Sequence, residues 1–255
     1  KISELESQMP WDELRGSCGI AHTRWATHGA PNAVNAHPHL AGDVAIVHNG
    51  IIENFGALKV QLSKKGHTFQ SDTDSEVLAH LVEEFYAGDL VEAVQRTLAV
   101  VEGAFGIAVT HAKEPHLIVG ARRGSPLVVG VGEHANYLAS DVAAVMGQTR
   151  KVIYLDDGEM VSLTPEGVVT MNIKNEKITK EIQEVTWDLG QIQKGGYPHF
   201  MLKEIFEQPQ TIRDSFRGRI LTESGDVRLG GIELTDWEIR NIRRIIILAC
   251  GTSWH

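Results

Sequence analysis

The 255-residue sequence predicts an α+β domain of stacked layers rather than a parallel βαβ array. Three observations predict it. Helix-period segments cluster between Asn54 and Val101. From Ala104 to Ile173, short apolar runs alternate with Gly, Pro or charged turns. After Ile173 the character shifts to a polar stretch, a Gly-rich break and a new amphipathic helix. A strand facing helices on one side and a second sheet on the other reads as apolar as these runs do.

Gly19–Trp25 and Asp43–His48 read as short strands ending at polar turns. Asn54 is placed to cap a helix running to about Lys65, with Phe55, Leu58 and Leu62 on one face. A stronger helix covers Asp74–Tyr86, with Val77, Leu78, Leu81, Val82 and Phe85 at core spacing. Asp89 caps a third, carrying Val91, Val94, Leu98 and Val101. The meander comprises Ala104–Thr110, Leu117–Ala121, Leu127–Val131, Tyr137–Ser140, Lys151–Leu155, Glu159–Leu163 and Val168–Ile173. Asn175–Glu184 is polar, and Gly195-Gly-Tyr-Pro198 reads as a linker. Phe200–Phe216 forms an amphipathic helix interrupted near Pro209, and Asp236–Asn241 a further helix. Arg244–Ala249 reads as an apolar strand without partners, running into Cys250-Gly-Thr-Ser253, the kind of turn that precedes a phosphate-binding helix N-terminus.

Composition narrows the function classes. With 33 acidic and 24 basic residues the formal charge is −9, which repels nucleic acid and anionic lipid on average. Two cysteines, Cys18 and Cys250, make no Cys-x-x-Cys pair, so a reducing cytoplasm is expected. No apolar run spans a bilayer, and the polar, acidic N-terminus is unlike a signal peptide. The chain opens on Lys1 rather than Met, and a trimmed or partial chain is expected.

Chemistry concentrates in His22-Thr-Arg-Trp-Ala-Thr-His-Gly29 and His48-Asn-Gly50. Arg24 offers a planar bidentate clamp for a carboxylate. Trp25 fits pocket wall or core; Thr27 and His28 fit ligand contacts or loop order. Asn49-Gly50 fits either a type I′ hairpin turn or an oxyanion hole built from the Asn amide and the Gly N–H. Asp74 fits a helix cap or a carboxylate facing a substrate ammonium. His22, His28, His37, His39 and His48 lie close in sequence, yet no metal-ligand spacing appears and His37-Pro-His39 alternates across an extended segment. Hydrogen-bonded loop histidines are the expectation, with no metal and no cofactor.

Gly19–Gly29, Asn35-Ala-His-Pro-His39, Val47–Asn54 and Ser71-Asp-Thr-Asp74 together resemble the class II, N-terminal-nucleophile glutamine amidotransferases. With Arg123-Gly-Ser-Pro-Leu127, Ala139-Ser-Asp141, His199–Pro209 and Leu248–Ser253, the likeness is specifically to the isomerising glutamine–fructose-6-phosphate aminotransferase (glucosamine-6-phosphate synthase) family. The resemblance implies a four-layer αββα sandwich over residues 1–180, a linker over 181–198 and the start of an α/β sugar-isomerase (SIS) domain over 199–255. It implies that Arg24, Thr27 and His28 bind the carboxylate end of glutamine and that Asp74 binds its ammonium. Asn49 and Gly50 would form the oxyanion hole, and Trp25 would border the pocket. The family nucleophile is an N-terminal cysteine, expected upstream of Lys1. Cleavage before Cys18-Gly-Ile20 to expose a substitute is not expected, because Cys18 abuts the strand delivering Arg24. The chain by itself is thus expected to bind glutamine weakly without hydrolysing it. Fructose 6-phosphate would be the partner substrate, in a homodimeric cytoplasmic enzyme of amino-sugar biosynthesis. The alternative is a non-catalytic glutamine-binding or scaffolding homologue; a phosphosugar-binding protein based on Cys250–Ser253 is weaker.

Overall fold

Along β3 (Gly103–His111), Phe105, Ile107 and Val109 project to one face and are buried. The same alternation in β2 (Val44–Ile52) buries Val44, Ile46 and Ile52 on that face. In the computed structural model these strands pair antiparallel from Val44↔His111 to Ile52↔Gly103. They form the centre of a six-stranded sheet ordered β1-β2-β3-β4-β8-β9, with β1 His39–Ala41, β4 Ile118–Arg123, β8 Glu159–Thr164 and β9 Gly167–Asn172. The structure describes residues 7–9, 16–24, 28–174, 176–186, 195–216, 220–221, 225–227 and 234–249. These fall into two compact units, Lys1–Ile192 and Gln193–His255.

In the first unit, one face of the large sheet is covered by α1 (Phe55–Lys64), α2 (Glu76–Phe85) and α3 (Leu90–Leu98). The core between them holds Leu58, Leu62, Val77, Leu78, Val82, Leu90, Val94 and Leu98 against Ile46, Phe105 and Ile107. Helix α2 is apolar enough around its girth that Val77 to Val82 are all buried. Asp89 caps α3 by accepting from Glu92 N–H at 2.9 Å. Asn54 does not cap α1: its amide donates to the Val100 carbonyl and accepts from Glu102 N–H, tying the helix start to the turn before β3.

A second sheet, β10-β7-β5-β6, stacks on the first. It comprises β5 Val128–Val131, β6 Asn136–Ala139, β7 Lys151–Tyr154 and β10 Gln183–Glu184. Leu127, Val129, Ile153 and Leu155 pack there on Val161 and Leu163 of β8. All ladders within the named strands are antiparallel, as a meander requires. The outer face of the second sheet is closed by the 3-10 turn Val142–Ala144 and by Val145 and Met146 on Val128 and Val152. Among the described residues the layers are therefore helix, sheet, sheet and a thin cover, rather than a second full helical layer.

Other expectations are corrected. Residues 19–24 are irregular rather than a strand, and Trp25 lies outside the described residues. The polar stretch after Ile173 contributes β10, which pairs with β7 through Gln183↔Val152.

In the second unit, α4 (Phe200–Phe216) runs through Pro209 without interruption. Proline removes a single N–H from the helix ladder, and the bonds on either side carry the helix onward. A two-stranded hairpin, β11 Ile220–Leu221 with β12 Asp226–Val227, follows. Then comes α5 (Asp236–Asn241), closed by a Thr235–Glu238 capping box. The expected strand Arg244–Ala249 is irregular and exposed, and it pairs with no strand among the described residues. Cys250–Ser253 lie outside the described residues.

Candidate functional site

Asn49 and Gly50 sit inside β2, opposite Gly106 and Phe105, and not in a turn. That removes the hairpin reading. Gly50 has φ 139°, and a Cβ there would collide with the Ala104 carbonyl oxygen. Only glycine fits this close approach of two backbones.

The segment before α2 folds over that strand. Asp74 is buried, and its Oδ2 accepts from Ile52 N–H at 2.8 Å. Ser75 has a helical backbone, so its hydroxyl does not cap; it lies 2.8 Å from Nδ1 of buried His48. His48 Nε2 faces the Ala104 carbonyl at 3.4 Å. These two ties, Asp74 to Ile52 and Ser75 to His48, bracket Asn49 and Gly50. Glu76 accepts from Gln70 N–H, Ser71 N–H and Ser71 Oγ–H. Asn35 bridges to a neighbouring loop: its Oδ1 accepts from Asp72 N–H and its amide donates to the Ala30 carbonyl.

Arg24 lies across from this turn in the left-handed region, φ 50°. Its guanidinium donates to the carbonyls of His28, Gly29 and Ala30 at 2.6, 3.1 and 3.0 Å, drawing the loop around it. A guanidinium carries five N–H donors, so others remain for a carboxylate. His28 Nδ1 lies 3.8 Å from Asp74 Oδ1.

Arg24, His28, Asn49, Gly50 and Asp74 all line one cleft of about 340 Å³, with His22, His37, His48, Thr73 and Ser75. Trp25 and Thr27 fall outside the described residues. The cleft therefore presents a cation, a buried carboxylate, an amide and a glycine backbone to one small volume. A zwitterion with a polar tail matches that set.

The histidines form a packed group instead of alternating. The His37 ring lies 4.4 Å from that of His22 and 4.7 Å from that of His39. Burial, then the neighbouring histidines and Arg24, push His37 down to about 3. Burial also lowers His48, outweighing the pull of Asp74, and lowers His22 and His39. Neutral rings are what this crowding imposes. Among the described residues, no group of three or more His, Cys, Asp or Glu is placed to hold a metal ion. No helix there is long and apolar enough to cross a membrane.

Sequence reasoning passed over Glu76, Asn35 and the His48–Ser75 pair. The acidic residue opening a helix was a visible signal for Glu76; the other contacts join residues 27 and 37 positions apart and left none.

Comparison with known proteins shows what the chain is similar to. Residues 8–194 match the family model of the glutamine amidotransferase domain. The chain is 50% identical over 248 residues to glutamine–fructose-6-phosphate aminotransferase (isomerising) of Chlorobaculum tepidum, covering 95% of this chain and 40% of the relative. It is 47% identical over 257 residues to the enzyme of that name from Aquifex aeolicus, covering 100% and 42%. The chain thus spans about two fifths of the length of these curated relatives. Among solved structures it is similar to glutamine phosphoribosylpyrophosphate amidotransferase from B. subtilis, with TM-score 0.51 and 27% identity over 60% of this chain and 34% of that one. With well over half of its residues in the family match, the chain belongs to the glutamine amidotransferase domain family.

Proposed function

We propose that this chain is the glutamine-hydrolysing part of an enzyme that makes glucosamine 6-phosphate from fructose 6-phosphate and glutamine. One observation carries the reading: Arg24, Asp74, Asn49 and Gly50 line a single cleft. Arg24 takes the α-carboxylate, with His28 and Thr27 beside it and Trp25 bordering the pocket. Asp74 accepts from the α-ammonium through Oδ1, since Oδ2 is engaged by Ile52. The side-chain amide then reaches Asn49 and Gly50.

The nucleophile is the N-terminal cysteine expected upstream of Lys1. Its thiolate attacks the amide carbon, and negative charge develops on the oxygen that the Asn49 amide and Gly50 N–H face. The C–N bond breaks, ammonia departs with the proton taken up by the cysteine's α-amino group, and water cleaves the thioester to glutamate. Ammonia passes to fructose 6-phosphate on a sugar-isomerase domain.

Residues 1–180 form the glutaminase domain in an N-terminal-nucleophile arrangement of two stacked sheets under a helical layer, 181–198 the linker and 199–255 the start of the isomerase domain. The full-length protein is a cytoplasmic homodimer. The names of the curated relatives and the family match support this reading.

The test uses the full-length protein. Arg24→Ala raises KM for glutamine by about ten-fold or more through loss of charged hydrogen bonds, while sugar isomerisation persists. Loss of both activities together assigns Arg24 to folding instead.

A further inference from the structure

We infer that Glu76 is a positioning residue that sets the place of Asp74 in the cleft, an inference resting on the reading of Asp74 as the ammonium acceptor. Glu76 opens α2 and is only 4% exposed. Its Oε2 accepts from Ser71 N–H at 2.7 Å and from Ser71 Oγ–H at 2.6 Å, while Oε1 accepts from Gln70 N–H at 2.8 Å. Every one of these donors belongs to the segment that leads into Asp74. The carboxylate therefore closes residues 70–76 into a loop from the inside.

Three further ties converge on the same loop. Ser71 Oγ lies 2.9 Å from Thr73 Oγ1, Thr73 Oγ1 lies 3.0 Å from His39 Nε2, and Asn35 Oδ1 accepts from Asp72 N–H. Asp74 itself accepts from Ile52 N–H through Oδ2, and its Oδ1 lies 3.8 Å from His28 Nδ1. The loop that carries Asp74 adds a further constraint on its carboxylate, and Glu76 is the buried carboxylate that closes that loop.

A simpler role is a favourable acid in the first turn of a helix. Such an acid gains from the helix dipole while exposed and need not be buried. Burying a carboxylate is costly unless its oxygens are satisfied, and here both are, by donors five and six residues back. Burial works to raise the Glu76 carboxyl, but the Ser71 and Gln70 donors, with His80 beside it, bring it below the ordinary range. His80 Nε2 stands 3.7 Å from Oε1, on α2 itself. The ionised form that closes the loop is thus the form present at neutral pH.

The experiment compares two competitive inhibitors of glutamine hydrolysis by the full-length protein. L-Glutamate carries the α-ammonium; glutarate is the same dicarboxylate without it. Glu76→Gln keeps the shape but confronts an N–H donor of the loop with an amide NH2. The expected result is a rise of about ten-fold in the inhibition constant of glutamate, the size of one charged hydrogen bond, with that of glutarate nearly unchanged. Ser71→Ala, which removes only the hydroxyl contacts, gives the same selective loss in smaller measure, and it decides the matter if Glu76→Gln does not fold. Equal weakening of both inhibitors, or of neither, overturns the inference. Asp74→Asn is run in parallel: if it leaves the preference for glutamate intact, the ammonium reading of Asp74 has failed rather than the role of Glu76.

Discussion

Ile52 N–H donates to Asp74 Oδ2 at 2.8 Å, so a strand of the central sheet holds one oxygen of a buried carboxylate and leaves the other to the cleft. This bond joins the element bearing Asn49 and Gly50 to the turn bearing Asp74. In the proposed reading, glutamine bound at its amino-acid end is thereby held at a set distance from Asn49 and Gly50, which is how positioning lowers a barrier.

Asp74→Asn separates the two jobs of that carboxylate. The amide oxygen still accepts from Ile52, while the charge facing the ammonium is gone. KM for glutamine rises by about ten- to a hundred-fold, equivalent to about 1.5–3 kcal/mol for a hydrogen bond to a charged group, and the urea midpoint moves little. Steady-state kinetics and denaturation on the same sample check it.

Gly50→Ala forces a Cβ into the Ala104 carbonyl at a φ of 139°. The cost is at least about 1–3 kcal/mol of backbone strain, with displacement of β2 from β3. Both the denaturation midpoint and glutamine hydrolysis fall. A variant of unchanged stability would show that the two strands separate freely at this point.

Acid lowers stability in two windows. His37 and His48 are held below the ordinary histidine value of 6.5 by burial, so they stay neutral in the fold while the unfolded chain takes up protons. Their contribution is complete above pH 6.5 and declines as pH falls below it. Glu76, whose carboxyl lies below 4.5, adds its loss only under more acid conditions. Urea midpoints between pH 7.5 and 4.5 therefore decrease with acid, and His37→Gln flattens part of that decline. A flat profile in the wild type contradicts the burial of neutral rings.

Leu78 is fully buried at the centre of α2, between the large sheet and its neighbouring helices. Leu78→Ala costs about 2–5 kcal/mol, from lost transfer energy and the cavity left behind. Thermal unfolding of the purified variant measures it.

Much of this architecture is legible in the chain because it is written locally. Period-two runs such as Ala104–Thr110 and the core spacing of Val77, Leu78, Leu81 and Val82 locate β3 and α2 to within a residue or two. Where the outcome depends on distant partners, local reading gives out. Asn49-Gly50 has hairpin chemistry, yet a nine-pair ladder with β3 keeps it extended. Arg244–Ala249 is apolar enough for a strand but pairs with none among the described residues. Asn54 and Asp74 have capping side chains that instead bond Val100, Glu102 and Ile52, far along the chain. Arg24, His28, Asn49, Gly50 and Asp74 were readable as a set through their motifs; Glu76 showed only as an acid opening a helix, and its burial and its bonds to Gln70 and Ser71 were not legible.

The most direct measurement is glutamate release from L-glutamine by the full-length protein, wild type against Asn49→Ala. Removing an oxyanion donor lowers kcat by about 10²–10³-fold while KM stays close to the wild-type value. An unchanged kcat in Asn49→Ala, or a wild-type protein that releases no glutamate, contradicts the assignment of this cleft to glutamine hydrolysis.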